Sequence, residues 1–427
     1  MYRKCDVKFF LSAFYIGDVM GSMIEKISEE SCWKDFFAYK CTKEPADSQL
    51  LSDIQAFIET KSYEQIPDIL NNKENLPSPT KKRINKNGGQ KKRTVYIFPE
   101  KFNLIVKCLA HELKEYDDLF APNLYSFRRN KTANDAWNRL KKMKGLQKKY
   151  IYKVDIRNYF CSVNVSKLLP QLKSILHEKD PMLFSFFENI LSDPYVIEDG
   201  EMIAESKGII PGAPFSVFTA NVYLMDLDRY FYNAHVEYMR YSDDILILAD
   251  DEAALQSHIL HVKEVLAERG LQINPDKECF IYPGEKWEFL GFSYFNGKID
   301  ISDIAFQKLK AKMRRKSRAL LRWSEKKDLP GIYAVRAFIK QFNAKLYDNP
   351  VNGELTWTRW YFPVINTDET LKKIDAYMLD CIRYLHAGKR TKCRYNFRYE
   401  DIKKAGYRSL VHAFYESKNT PSDISDS

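Results

Sequence analysis

The stretch YMRYSDDILIL, Tyr238 to Leu248, decides how this chain is read. Two adjacent aspartates, Asp243 and Asp244, interrupt an apolar alternation that otherwise reads as β-strand. The flanking runs Glu237–Tyr241 and Ile245–Ala249 predict strand, tight turn, strand, with the acids at the tip. A solvated hairpin turn accounts for that composition by itself, because aspartates in water carry no cost. A second stretch, YIYKVDIRNYF, Tyr150 to Phe160, changes the weighing, because it places Asp155 at the end of another strand. Strands that end in acids can bring three carboxylates to one point. Two carboxylates about 4 Å apart repel by roughly 4 kcal/mol at an effective dielectric near 20. A divalent cation between them attracts each about twice as strongly, so the cluster becomes favourable with metal bound. Oxygen donors without His or Cys favour Mg²⁺, with Mn²⁺ as a substitute. Two such ions can activate a 3′-hydroxyl and stabilise a departing pyrophosphate.

The rest of the sequence is compatible with such a site. The chain has 427 residues, enough for two or three packed units, and 45% of them are hydrophobic, so it should be globular. The formal net charge of +10, from 67 Lys+Arg against 57 Asp+Glu, attracts polyanions only if it is clustered. The eight cysteines show no close metal or redox spacing, which predicts free thiols in a reducing, cytoplasmic compartment. The apolar stretch 9–16 reads as an N-terminal helix rather than a cleaved signal peptide. No segment approaches a membrane span of about 18 apolar residues.

Along the chain, residues 1 to 76 read as mostly helical. Between Lys81 and Arg93 stand seven basic residues and no acidic one, among Gly and Pro breakers. This reads either as a solvated loop or as a flexible basic arm that touches phosphates. A short strand is expected at Val95–Phe98 and a helix at 101–116. From 150 to 300, strands (Tyr150–Asp155, Glu237–Tyr241, Ile245–Ala249, Glu288–Tyr294) alternate with helices (166–176, 214–232, 252–269). That pattern predicts an α+β unit with an antiparallel sheet. Phe306 to Trp323 carries eight Lys/Arg and no acid, with Phe306, Leu309, Met313 and Leu320 at helical spacing. It predicts an amphipathic helix with a cationic outer face, either merely solvated or tracking a duplex backbone. The stretch KRTKCRYNFR, Lys389 to Arg398, mixes basic and aromatic residues in a way suited to unpaired bases.

Several segments resemble reverse transcriptases, in the order that family shows. Tyr241-Ser242-Asp243-Asp244 resembles its Tyr-x-Asp-Asp signature, and Asp155 to Phe160 resembles its first palm motif. Gly208 to Leu224 resembles the Pro-Gln-Gly…Ser-Pro…Ala-Asn motif, Leu271 to Lys277 the next palm motif, and Phe289-Leu290-Gly291 the primer grip. Tyr125 to Lys131 resembles the fingers motif that holds the triphosphate. The resemblance covers roughly residues 92 to 300. It implies a right-hand polymerase fold with fingers and an antiparallel-sheet palm at 91–300. An N-terminal helical extension and basic loop at 1–90 and a basic, helical, thumb-like region at 301–427 flank it.

The resemblance also implies roles. Asp155, Asp243 and Asp244 are the catalytic metal ligands. Arg128, Arg129 and Lys131 neutralise the triphosphate, although the residues alone also fit a solvated basic helix start. Phe160, five residues after Asp155, is the steric gate against a 2′-hydroxyl, which selects deoxynucleotides; a plain core aromatic is the alternative. Gly212, with Gly208 and Ala213, lets backbone approach the incoming base pair. Lys277 is a proton donor to pyrophosphate. Phe289, Leu290 and Gly291, with Lys308, Lys312 and Arg315, contact primer and template.

One departure stands out. The family's Pro-Gln-Gly is here Ile210-Pro211-Gly212, and its Ser-Pro is Ser216-Val217. The missing Gln amide puts ordinary template selection in doubt, not the metal chemistry. The chain shows no nuclease finger, RNase H cluster, integrase segment or retron Val-Thr-Gly triplet. It is most similar to the stand-alone bacterial enzymes of phage defence, the "unknown group" and abortive-infection classes. The expected activity is therefore RNA-directed DNA synthesis on a companion structured non-coding RNA, with dNTPs as substrate and DNA as product. Untemplated or protein-primed synthesis and a catalytically silent RNA-binding scaffold are the alternatives. No membrane partner is expected; a homo-oligomer or an effector protein stays open.

Overall fold

The computed structural model describes residues 21–45, 47–85, 92–347 and 356–419. The apolar stretch 9–16 and the centre of the basic segment, 86–91, lie outside the described residues. After a one-turn helix at Met23–Lys26, helices Glu30–Cys41 and Gln49–Glu59 are closed on each other by Trp33, whose ring lies 4.2 Å from that of Phe57. There follow β1 (Thr80–Asn85), β2 (Lys92–Ile97), helices Glu100–Glu112 and Ala133–Lys142, β3 (Tyr150–Asp155), and helices Val165–Leu176 and Pro181–Ser192. Next are β4 (Tyr195–Glu198), β5 (Glu201–Ala204), helices Ser216–Tyr223 and Met225–Asn233, β6 (Glu237–Tyr241), β7 (Asp244–Ala249) and helix Glu252–Glu268. Short strands β8 (Cys279–Ile281), β9 (Trp287–Phe289), β10 (Phe292–Phe295) and β11 (Lys298–Ile301) lead into helices Asp303–Lys326, Gly331–Leu346, Trp357–Tyr361, Glu369–Ala387 and Leu410–Asn419.

Among the described residues the strands form three sheets, ordered β2-β1-β4-β5, β6-β7-β3-β8 and β11-β10-β9. The second is antiparallel throughout and is the centre of the molecule. Side chains on a strand alternate between faces, and here both faces are buried. On β7, Ile245 and Ile247 enter one apolar core while Leu246 and Leu248 enter another. On β3, Tyr152 and Val154 join the first core and Ile151 joins the second. Double burial explains why these strands read as nearly continuous apolar runs. The first core also takes in Trp33, Phe36 and Ile54 of the N-terminal helices. The second takes in Leu309 and Met313 of the long basic helix, with Phe338 and Ile374 of the helices beside it.

The structure departs from the sequence expectations at three places. The basic segment after Lys81 is not a loose arm on its described flanks: Thr80–Asn85 and Lys92–Ile97 pair as an antiparallel ladder from Thr80↔Ile97 to Asn85↔Lys92. The alternation Lys82, Ile84 and Arg93, Val95, Ile97 is itself a strand signal, masked by the charge. The single strand expected over Glu288–Tyr294 is two strands, β9 and β10, turned at Leu290 (φ 49°) and Gly291 (φ 87°). The single helix expected over 214–232 breaks at Leu224. In an unbroken helix the Leu224 N–H would donate to the Ala220 carbonyl. That carbonyl instead accepts the Tyr159 hydroxyl at 2.6 Å, and the Leu224 N–H goes to Val222. No described helix is long and apolar enough to cross a membrane.

Candidate active site

Antiparallel pairing of β3 with β7 sets Asp155 opposite Asp244. Both therefore project from the same sheet face, the one shared by Ile151 and Leu246 and turned toward the C-terminal helices. Asp243 joins them from the turn between β6 and β7, where its carbonyl accepts the Ile156 N–H at 3.0 Å. One carboxylate oxygen from each of Asp155, Asp243 and Asp244 can be chosen so that all lie within 4.8 Å of one another. The reach from three separate places in the sequence to one point is what the sequence alone could only suggest.

The electrostatics of this cluster are unfavourable without a cation. Burial, then the charges of Asp243 and Asp155, push the Asp244 carboxyl up to about 6. Burial and then the charge of Asp155 also raise Asp243. Lys277 pairs with Asp155, and Asn274 donates to its other oxygen at 3.2 Å. Burial works against the Lys277 charge, but the hydrogen bond and charge of Asp155 outweigh it and raise its pKa. Three hard oxygen donors within 4.8 Å of one another, two of them reluctant to ionise, fit a divalent metal ion. No His or Cys belongs to this cluster.

The turn that presents Asp243 and Asp244 is strained and held from behind. Ser242 has φ 59°, a left-handed conformation that costs a non-glycine residue about 1–3 kcal/mol. Its N–H donates to Ser126 Oγ at 2.8 Å, and its carbonyl accepts from Arg240 at 3.3 Å. Arg240 is fully buried on the opposite face of the sheet from Asp244 and makes a two-pronged pair with Asp228, at 2.8 and 2.5 Å. Asp228 also accepts the Tyr238 hydroxyl at 2.9 Å, and Asn221 ties in through Ser126 at 3.0 Å. Sequence reasoning missed this group. The signal was present, since an arginine at a buried position of an apolar strand requires a carboxylate partner.

Of the residues assigned to the nucleotide, Phe160 is half-buried and follows Tyr159 in the short helix Tyr159–Ser162. The Gly208–Ala213 segment lies against it: the Ile209 N–H donates to the Phe160 carbonyl at 3.0 Å, and a Cβ at Gly208 would stand 2.2 Å from that oxygen. Gly212, at φ 107°, lies close to β2, where a Cβ would meet the Tyr96 carbonyl at 2.8 Å. The Pro211 carbonyl accepts the Tyr96 N–H at 2.7 Å. The Arg128 side chain is 6% exposed, and its guanidinium donates to Asp117 at 2.6 Å and to the Ala121 carbonyl at 3.0 Å. Lys131 donates to the Pro122 carbonyl and lies over the Tyr125 ring. Arg129 is the exposed member of that trio. Phe289 is buried, its carbonyl accepting Trp137 Nε1 at 3.1 Å, while Lys308, Lys312 and Arg315 are exposed on the Asp303–Lys326 helix. In the basic–aromatic stretch Lys389 to Arg398, Arg390 and Arg394 pair with Asp380 of the Glu369–Ala387 helix.

Residues 84–294 match the family model described as reverse transcriptase (RNA-dependent DNA polymerase). The matched segment is just under half of the chain and is similar to a reverse transcriptase domain. That family model describes RNA-dependent DNA polymerases, and the fold here is the right-hand polymerase fold with the β6-β7-β3-β8 sheet as its palm. No curated protein matches the chain. Among solved structures it is similar to an apo telomerase from Candida tropicalis truncated from its C-terminal domain, at 14% identity over 53% of this chain and 55% of that one, TM-score 0.40. It is also similar to telomerase from Candida albicans in complex with a fragment of telomeric RNA, at 12% identity over 83% and 65%, TM-score 0.41. A third is apo telomerase from Candida tropicalis, at 13% identity over 80% and 62%, TM-score 0.45. The chain thus spans between about half and two thirds of the length of these structures.

Proposed function

We propose that the protein is a metal-dependent reverse transcriptase that extends a 3′-hydroxyl with dNTPs. Asp155, Asp243 and Asp244 would hold two divalent ions, Mg²⁺ or Mn²⁺ in its place. The approach of their oxygens to within 4.8 Å of one another carries the reading. Bound there, the metal supplies an acidified 3′-hydroxyl and charge neutralisation at the pyrophosphate. The chain's own groups do the rest. The Arg240–Asp228 pair and Ser126 keep the Ser242 turn in its strained form, so the two turn aspartates meet Asp155 without reorganising. The half-buried Phe160 ring would limit the sugar to a deoxyribose. Lys277, over Asp155, offers a proton to the leaving pyrophosphate. Arg129 is the fingers cation available to phosphate.

The copied strand is read as a companion structured non-coding RNA, and the setting as bacterial antiphage defence in the cytoplasm. The resemblance to the stand-alone defence enzymes and the atypical Ile210-Pro211-Gly212 support this. The seven described cysteines are free, in keeping with a reducing compartment. Purified protein with its co-bound nucleic acid, dNTPs and Mg²⁺ should make DNA complementary to one RNA. Product that persists after Asp243→Ala with Asp244→Ala would overturn the site.

One observation favours a second reading, untemplated or protein-primed synthesis. Where the family carries a Gln side-chain amide, Pro211 has an apolar ring that can neither donate nor accept, and its backbone carbonyl is bonded by the Tyr96 N–H at 2.7 Å. Homopolymeric or random product, or DNA joined to a tyrosine or serine, would select that reading.

A further inference from the structure

We propose that Lys153 and Glu288 are positioning residues for nucleotide addition, fixing the Phe289–Gly291 turn and the start of the Asp303–Lys326 helix relative to the three aspartates. This rests on the polymerase reading of the site, under which turn and helix touch the strand being extended. Neither Lys153 nor Glu288 touches that strand; both act through the backbone they hold.

Lys153 stands two residues before Asp155 on β3, on the same sheet face and about 7 Å along the strand. Ile151 and Leu246, its neighbours on that face, are buried and apolar, so packing alone gives no reason for a cation there. Among the described residues no carboxylate pairs with it. Its half-buried ammonium donates instead to the Glu288 carbonyl at 2.8 Å. A charged donor makes such a bond roughly twice as strong as a neutral one. The next carbonyl, that of Phe289, accepts Trp137 Nε1 at 3.1 Å. The chain then turns through left-handed Leu290 (φ 49°) and Gly291 (φ 87°), and the Gly291 carbonyl accepts the Ser302 N–H at 2.9 Å. The carbonyls of Glu288, Phe289 and Gly291 are therefore all held by groups outside the turn.

The Glu288 side chain carries the tie onward. Its Oε1 accepts the Asp303 N–H at 2.8 Å. The first N–H groups of a helix have no partner inside it, and the helix dipole favours a carboxylate at that end. Ser302 Oγ accepts the Ala305 N–H of the same turn at 3.2 Å. Glu288 is also paired with Ser293 in the β9–β10 ladder. One residue thus joins the strand of Asp155, through its carbonyl, to the long basic helix, through its carboxylate. The turn cannot slide along β3 without losing the Lys153 bond, and the helix cannot swing without losing the Glu288 bond. A misplacement of about 1 Å can cost about a hundredfold in rate.

Three measurements on the same variants test this: single-turnover addition of dCTP to a DNA primer on an RNA template, affinity for that duplex by fluorescence anisotropy, and Mn²⁺ binding. Lys153→Met keeps a stem of similar length and removes the donor. It should slow addition at least about tenfold, while duplex affinity and Mn²⁺ binding stay close to wild type. Lys153→Arg still reaches the Glu288 carbonyl and should restore most of the rate. Glu288→Ala should weaken duplex affinity and speed hydrogen exchange of the Asp303 amide, and Glu288→Gln, which keeps an acceptor oxygen, should do neither. An unchanged rate in Lys153→Met, no rescue by Lys153→Arg, or equal losses of rate, duplex affinity and Mn²⁺ binding would overturn the proposal. So would an Asp303 amide that exchanges alike in Glu288→Ala and wild type. A wild type that adds no nucleotide at all would instead overturn the polymerase reading on which the proposal rests.

Discussion

Asp155 and Asp244 stand directly across from one another on β3 and β7, on the same face of the central sheet. Like charges at opposed positions of an antiparallel pair are destabilising. Their juxtaposition, with Asp243 beside them, is therefore a cost to the metal-free fold at neutral pH, which Lys277 offsets only at Asp155 and which a bound cation or protonation removes.

That cost has a pH signature. The Asp244 carboxyl is raised from 3.8 to about 6. A carboxyl raised in the folded state binds its proton more tightly there than in the unfolded chain. Its penalty is absent below about pH 4, grows between pH 4 and 6, and is fully present above. In EDTA the wild type should gain stability as pH falls from 7 to 5, with at most about 3 kcal/mol from this group. Asp244→Asn should be more stable than wild type at pH 7 and lose that advantage at low pH, while nucleotide addition falls at least about a hundredfold. Thermal melts in EDTA at pH 5 and 7.5 check the sign.

The Arg240–Asp228 pair gives a different result. Both side chains are fully buried. Arg240→Met leaves the Asp228 charge without a partner and should destabilise by about 3–5 kcal/mol. Arg240→Met with Asp228→Leu should recover most of that stability. It should not recover activity, because the Ser242 carbonyl still lacks its donor. Melting temperature and kcat, measured on both variants, separate folding from positioning.

Much of this was legible beforehand, and the reasons lie in particular residues. β3 and β6 matched their expected spans, and β7 begins one residue earlier, at Asp244, because their apolar alternation is driven by two cores at once. Asp243 and Asp244 alone fitted a solvated turn; Asp155 at the end of a second apolar strand is what made the three stand out together. The Arg128–Asp117 pair was not legible, because a guanidinium in such a motif reads the same whether its partner is a ligand or a carboxylate of the chain. Arg240 went unnoticed because its partner, Asp228, lies on a helix and pairs only through the tertiary fold. Glu288–Tyr294 looked like one strand because Leu290 does not announce a turn, although Gly291 does.

Phe160 makes a prediction about sugar choice. Phe160→Ala should leave dNTP addition within about tenfold of wild type and raise rNTP use relative to dNTP at least about tenfold. Competitive incorporation of dCTP against CTP measures the ratio; an unchanged ratio would make Phe160 a plain packing residue.

Gly208 tests the loop beneath that ring. Gly208→Ala puts a methyl 2.2 Å from the Phe160 carbonyl oxygen at φ 56°. Left-handed strain and overlap together should cost about 2–5 kcal/mol. Gly145→Ala has open space at a similar φ and should show the strain alone, about 1–2 kcal/mol. Denaturant midpoints of the two variants give the difference.

The central claim, that Asp155, Asp243 and Asp244 jointly grip divalent ions, is most directly tested by electron paramagnetic resonance of Mn²⁺ titrated into the protein with dCTP. The wild type should bind Mn²⁺ saturably, and Asp155→Asn, Asp243→Asn and Asp244→Asn should each weaken that binding at least tenfold. Equal binding by the three variants and the wild type would contradict it.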